Sequence, residues 1–217
     1  MHILLLGATG RTGKHIVHAA LAKGHSLHCV VRDASKLDKH EQIIPFVGNP
    51  TDKGLLEKAM KGCDAMISAL NISRTSDFPW APLRTPPTLM SDMLKTALPL
   101  LKKEGIKRVV ICSAWGAGDS LKDIPFWFRW TIQASNIQMA YQDHERQEEI
   151  LTKSDLDWTI VRPVGLTPFK GKNEILESEG MNPQPNLIIS RHMLGSYLSE
   201  AVERDDLIGK IRVVSQK

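Results

Sequence analysis

Cysteine is scarce in this 217-residue chain, its charge is nearly balanced, and it holds no long apolar run. Cys29, Cys63 and Cys112 are odd in number and far apart. That spacing argues against a disulfide framework and against a metal site, and they read as reduced core thiols of a cytoplasmic protein. No apolar stretch approaches bilayer length, and the first expected strand starts at residue 2 without a charged lead-in or a cleavage site. Neither membrane insertion nor secretion is therefore expected. The 28 basic side chains exceed the 24 acidic ones by only four and are spread along the chain, which does not point to nucleic acid. The densest basic cluster, Lys102 to Arg108, suits the end of a helix, where cations meet the negative end of the dipole. There is no internal repeat, low-complexity tract or compositional break, so residues 1–217 are expected to form one domain.

The glycines carry more information. Residues 2–6 are an apolar run that passes directly into Gly7-Ala8-Thr9-Gly10-Arg11-Thr12-Gly13. A tight strand-to-helix turn of this kind needs positions without a Cβ, so that the backbone bends sharply, approaches a pyrophosphate and lets the helix pack on the strand. The helix expected over Lys14–Lys23 places Ile16, Val17, Ala20 and Leu21 on one face and stops at Gly24. Its free N–H groups point at the phosphates of a dinucleotide.

The next strand, Ser26–Val31, ends at Arg32-Asp33, where an acidic residue would serve the ribose of NAD. A guanidinium there grips a 2′-phosphate through two N–H donors, which favours NADP(H), and Arg11 offers a second charge to the same phosphate. Asp33 remains the alternative partner for a ribose if the strand ends one residue later.

Beyond this unit, strands and helices keep alternating. Strands are expected at Ile43–Val47, Ala65–Leu70, Arg108–Ser113, Trp158–Val161, Leu187–Ile189 and Lys210–Val214. Helices are expected at Lys53–Met60, Leu89–Lys103, Met139–Lys153 and His192–Glu203. Buried, near-continuous apolar strands in repeated βα units imply an α/β fold with a doubly wound parallel sheet and right-handed crossovers. Ligands of such sheets bind at the carboxyl ends of the strands.

The residues at those ends resemble one family. The glycine turn, Val31-Arg32-Asp33, Gly48-Asn49 where many members have Gly-Asp, Cys112-Ser113-Ala114 and the run Ser154-Asp155-Leu156-Asp157-Trp158-Thr159-Ile160-Val161-Arg162-Pro163 together resemble the atypical short-chain dehydrogenase/reductases of the NmrA-like group, in its flavin-reductase branch. The resemblance spans nearly the whole chain. It implies a Rossmann fold, NADP(H), and hydride transfer to a flavin, quinone or similar conjugated acceptor. It also implies a cofactor held by Gly7, Thr9, Gly10, Arg11, Thr12, Gly13, Arg32, Asn49, Ala69, Leu70, Ser113, His144, Pro163 and Val164, with Pro163 and Val164 presenting backbone groups to the nicotinamide carboxamide.

The chain departs from the superfamily at one point. Ordinary members carry Tyr-x-x-x-Lys on the helix before the sixth strand, but here the aligned positions are Ala140 and His144, and Tyr141 is followed by Glu145 four residues later. The candidate catalytic residues are thus Ser113, as a donor to a substrate carbonyl, and His144, as a hydrogen-bond partner of the ribose or a proton shuttle. The alternative for His144 is a surface histidine among acidic neighbours. Hydride transfer to a flat ring needs stacking more than an acid. Trp80, Trp115 and Phe126 are the expected substrate-binding aromatics, with Trp127 and Phe128 next nearest; the alternative for 126–130 is the buried face of a helix or an oligomer contact. The stretch 162–190 is expected to form the substrate side, with a flexible lid or small lobe over Leu166 to Pro185.

Two functions compete at this level. One is an NADPH-dependent reductase of a small planar acceptor, monomeric or a small homo-oligomer. The other is a non-catalytic NADP(H)-binding redox sensor. A sugar-nucleotide epimerase or dehydratase suffers from the lost dyad and the short substrate segment.

Overall fold

The computed structural model describes residues 1–169 and 174–217. The elements in chain order are β1 (His2–Leu6), α1 (Gly13–Ala22), β2 (Ser26–Val31), β3 (Ile43–Val47), α2 (Lys53–Met60), β4 (Ala65–Ser68), α3 (Leu89–Glu104), β5 (Arg108–Cys112), α4 (Phe126–Gln133), α5 (Ile137–Thr152), β6 (Asp157–Pro163), β7 (Gly165–Thr167), β8 (Ile175–Ser178), β9 (Ile188–Ser190), α6 (Arg191–Ala201) and β10 (Lys210–Gln216). The main sheet has the order β3-β2-β1-β4-β5-β6-β10-β8. Its pairs are parallel except for the last, where β8 runs antiparallel to β10. The strand order reverses between β1 and β4, and that reversal opens the crevice in which such sheets bind ligands.

The central strands are apolar throughout because both faces of the sheet are covered. Ile3 and Leu5 of β1 face the layer built on α1 and α6, while Leu4 and Leu6 face the layer built on α2, α3 and α5, and all four are fully buried. An alternating polar pattern would leave half of each strand unsolvated. Gly195 sets the spacing of the first layer. A Cβ there would stand 2.4 Å from His15 Cβ and 2.9 Å from the Ile16 nitrogen, so α1 and α6 touch near their amino ends. Both helices return antiparallel to the strands, which puts these ends at the carboxyl edge of the sheet.

Two expectations are corrected. The aromatic run 126–133 is a helix, α4, but Phe126, Trp127 and Trp130 are exposed and Ile132 alone of its residues is fully buried. It is not a buried helix face. The segment 166–185 is not a loop without secondary structure: β7 pairs with β9, and β8 extends the main sheet along β10. Residues 170–173 of the expected lid lie outside the described residues. Strands this short, with Glu177 among them, carry too little apolar periodicity to stand out in the sequence.

Candidate functional site

The glycine turn is built as a cradle. Gly7 has φ 87°, and a Cβ on it would stand 2.7 Å from the Ala69 carbonyl oxygen. On Gly13 a Cβ would lie 2.0 Å from the Gly7 carbonyl oxygen and 2.8 Å from that of Ala8. Helix α1 therefore approaches β1 closely only because residue 13 has no side chain. Gly10 donates its N–H to Gly7 O at 2.9 Å. The N–H groups of Arg11, Thr12 and Gly13 donate to nothing among the described residues, and Thr12 caps α1 without a side-chain bond, while Thr9 is half-buried in the same turn. Unpaired amides at a helix N-terminus beside a side-chain-free turn fit a pyrophosphate. Ala69 and Leu70 flank the turn, with Ala69 N–H bound to Leu6 O.

At the end of β2 the two rivals separate. Asp33 Oδ1 accepts from Ser35 N–H at 3.0 Å and from Ser35 Oγ–H at 2.7 Å, and these bonds hold its carboxyl below the usual carboxylate range. Arg32 is exposed and makes no hydrogen bond or ion pair among the described residues. Arg11 is engaged: its two terminal nitrogens donate to the two oxygens of Asp77, each at 2.9 Å. Asn49 turns back on its own loop, its Oδ1 accepting from Thr51 N–H at 3.1 Å.

His144 is a buried residue of α5, which removes the alternative of a surface histidine. The Gln147 amide nitrogen lies 2.7 Å from Nδ1 and can only donate, which leaves the ring hydrogen on Nε2. Burial lowers the pKa to about 4, so the ring is neutral at pH 7. Asp143 anchors this part of α5, accepting from Met90 N–H at 2.7 Å and from the Ser91 hydroxyl at the amino end of α3. Tyr141 packs edge-on against His144, and burial raises its pKa.

Ser113 does not sit as expected. Its hydroxyl donates to Glu148 Oε1, so its one hydrogen is committed and toward any other group it acts as an acceptor, not as a donor to a carbonyl. Glu148 is also held by Arg162, with Nε to Oε1 at 3.0 Å and Nη2 to Oε2 at 2.6 Å. The backbone of 163–164 is likewise spent on its neighbours: the Pro163 carbonyl accepts from Trp115 N–H at 3.0 Å and Val164 N–H donates to Val214 O at 3.2 Å.

Trp115 lies in the core layer with Ile124 and Val164 and is only 6% exposed, so it offers no free ring face. Gly116, at φ 104°, turns the chain immediately after it. Trp80 and Phe126 are exposed; Trp80 stacks obliquely on Phe78 and its indole N–H donates to Ala134 O, fixing the 71–87 loop against the end of α4. All three cysteine thiols are pushed up to about 12 by burial, which removes them as nucleophiles. Among the described residues no group of acidic, histidine and cysteine side chains is placed to hold a metal, and no helix is long and apolar enough to cross a membrane. Sequence reading missed Asp77, Asp143, Gln147 and Glu148, none of which stands in a motif, and the role of the Arg162 side chain, although Arg162 stands in the run that carries the resemblance.

Comparison with known proteins accords with this geometry. A family model described as NAD(P)H-binding matches residues 7–205. An oxidoreductase of Pestalotiopsis microspora is 29% identical over 183 residues, which cover 75% of this chain and 66% of that protein. Among solved structures, the anaerobilin reductase ChuY of Escherichia coli O157:H7 superposes with a TM-score of 0.81 at 20% identity, covering 100% of this chain and 97% of that one. A short-chain dehydrogenase/reductase of Veillonella parvula in complex with NADP gives 0.79 at 17% identity, covering 99% and 94%. With its Rossmann-type sheet, its glycine cradle and a family match over nearly its whole length, the chain belongs to the NAD(P)H-binding family.

Proposed function

We propose that the protein is an NADPH-dependent reductase of the NmrA-like short-chain dehydrogenase/reductase type, resembling the flavin reductase biliverdin reductase B, and that its acceptor is a flavin, quinone or similar flat conjugated molecule. The observation that carries the cofactor choice is the pair at the end of β2, with Arg32 unpaired and Asp33 occupied by Ser35. The glycine cradle would hold the pyrophosphate, Arg32 the 2′-phosphate, and His144 Nε2–H a hydroxyl near the nicotinamide. NADPH supplies a hydride when bound. The chain's part is to hold and orient: a neutral imidazole at pH 7 donates a hydrogen bond without giving up its proton, and Ser113 has no hydrogen to spare. An acceptor whose ring takes the hydride and whose proton comes from water suits a site without a general acid.

NADPH is expected to bind at least tenfold tighter than NADH, because a charge-assisted contact to the 2′-phosphate is worth about 1.5–3 kcal/mol. Calorimetry on the parent and on Arg32→Ala tests this; the variant should lose most of the preference. Equal affinities in the parent would return the role to Asp33.

Turnover tests the acceptor. NADPH oxidation with FMN, FAD, riboflavin, quinones and biliverdins should show reduction of at least one class, and His144→Ala and Ser113→Ala should each lower it within about tenfold, since a positioned general acid contributes about 10² to 10⁴. With the His144 pKa near 4, no limb near pH 6.5 should arise from this residue between pH 5 and 9. Trp80→Ala should mainly raise the acceptor KM. A thousandfold loss in His144→Ala would make it a true acid, and NADPH binding without reduction of any acceptor would favour the redox sensor.

A further inference from the structure

At the mouth of the glycine turn Arg11 is paired with Asp77, and the charges of two further arginines act on the same carboxylate. Asp77 lies in the hairpin 73–84 that follows β4, closed by the pairing of Arg74 with Leu83 and by Thr75 N–H to Pro82 O at 2.9 Å. Its carboxylate takes both terminal nitrogens of Arg11. The charges of Arg191, the first residue of α6, and of Arg74 also act on it. Partial burial and then the repulsion of Arg11 hold the Arg191 guanidinium below its usual pKa. Arg74 Nε is buried with no partner among the described residues.

The packing brings these charges together. Gly195 rests on His15 and Ile16, and the rings of His15 and His192 meet at 5.6 Å, so the first turns of α1 and α6 lie side by side. Three cations against one anion leave an excess of two positive charges beside the unpaired amides of Arg11, Thr12 and Gly13. The Arg11–Asp77 pair is exposed, at 65% and 79%, and contributes little to folding. A doubly charged phosphate group has the charge this corner lacks. Arg32, on the far side of the turn at the end of β2, is left for the 2′-phosphate, which assigns the Arg11 and Arg191 corner to the pyrophosphate.

We propose that Arg191 is a pyrophosphate ligand acting with Arg11, and that Asp77 occupies the place of a phosphate on Arg11 and leaves it as the dinucleotide binds. The inference rests on the cofactor reading above. It makes the 73–84 hairpin, which carries Phe78 and Trp80, responsive to cofactor binding: charge on the phosphates frees the hairpin tip, and removal of the Asp77 charge favours the cofactor.

Calorimetric titration with NADPH and with NADH separates the possibilities. Arg191→Gln is expected to weaken both by the same factor, tenfold or more, and Arg191→Lys, which keeps the charge, to recover part of the loss. Asp77→Asn is expected to tighten both by about threefold to tenfold, with inorganic pyrophosphate competing better than in the parent. The melting temperature of Asp77→Asn without added nucleotide should match that of the parent within about 2 °C, as for an exposed charge. Unchanged affinity in Arg191→Gln, or a loss confined to NADPH, overturns the pyrophosphate assignment. Weaker binding in Asp77→Asn overturns the phosphate-mimic role and makes the ion pair a structural support of the site. If the parent bound neither nucleotide, the cofactor reading itself would fall.

Discussion

Replacing Gly13 by alanine is expected to abolish measurable NADPH binding and to lower the melting temperature by roughly 10 °C. The added Cβ would stand 2.0 Å from the Gly7 carbonyl oxygen and 2.8 Å from that of Ala8. Both obstacles are backbone, so no side chain can rotate away, and either α1 must lift from β1 or the turn must open. Overpacking of this kind costs about 3 kcal/mol or more, and in a chain of this size each kcal/mol moves the melting temperature by roughly 2–4 °C. Lifting α1 also moves the amides of Arg11, Thr12 and Gly13 out of register with a pyrophosphate. Gly10→Val makes the contrast, because a Cβ on Gly10 would meet only Gly7 O, at 3.1 Å. That variant should keep most of its stability and still lose the cofactor, since its bulk fills the approach of the phosphate. Thermal scans with and without NADPH distinguish the two. Gly13→Ala melting like the parent, or retaining cofactor-induced stabilisation, would show that the turn does not act as the cradle described.

These glycines were legible in the sequence because the turn is local: strand, glycine spacing and helix face lie within about twenty residues. The order of the main strands and helices, though not α4, β7 or β8, was legible for the same reason, since strands buried on both faces read as apolar runs and the helices between them show a single apolar face. What escaped depends on the crossovers. Arg11 and Asp77 are 66 residues apart, and Asp143 reaches back 53 residues to cap α3. Only the wound sheet brings such pairs together, and a lone aspartate in a loop or helix has no periodicity to announce it. Trp115 shows another limit. Its place after Ser113-Ala114 put it near the nicotinamide, but the left-handed turn at Gly116 follows and the ring enters the core. The resemblance suggested Ser113 as a donor, and only the Glu148 oxygen beside it shows where its hydrogen goes. Position in a motif fixes the location of a side chain far better than it fixes the direction of its hydrogen bonds.

Glu148→Ala is expected to destabilise the protein by about 3–5 kcal/mol, the usual result of stranding one partner of a buried ion pair. The carboxylate serves three donors, the Ser113 hydroxyl and the Nε and Nη2 of Arg162, at the junction of β5, α5 and β6. Without it, Arg162, 6% exposed, keeps only Asp119 at 2.7 Å, whose own side chain is 79% exposed and screened by solvent. A cavity of about 220 Å³ bordered by Gly118, Asp119, Glu145 and Arg162 adjoins the pair. Water entering there would hydrate part of the stranded guanidinium, which places the cost nearer 3 than 5 kcal/mol. Glu148→Gln keeps an acceptor for both partners but removes the charge, so it should fall between the parent and Glu148→Ala. The double variant Glu148→Ala, Arg162→Met removes the stranded charge and should be more stable than Glu148→Ala alone, with a coupling of about 1–3 kcal/mol in a double-mutant cycle. Urea denaturation of the parent and these variants measures each step. A Glu148→Ala midpoint within about 1 kcal/mol of the parent would show that Arg162 is solvated already and that this junction is not what holds β5, β6 and α5 in register under the site.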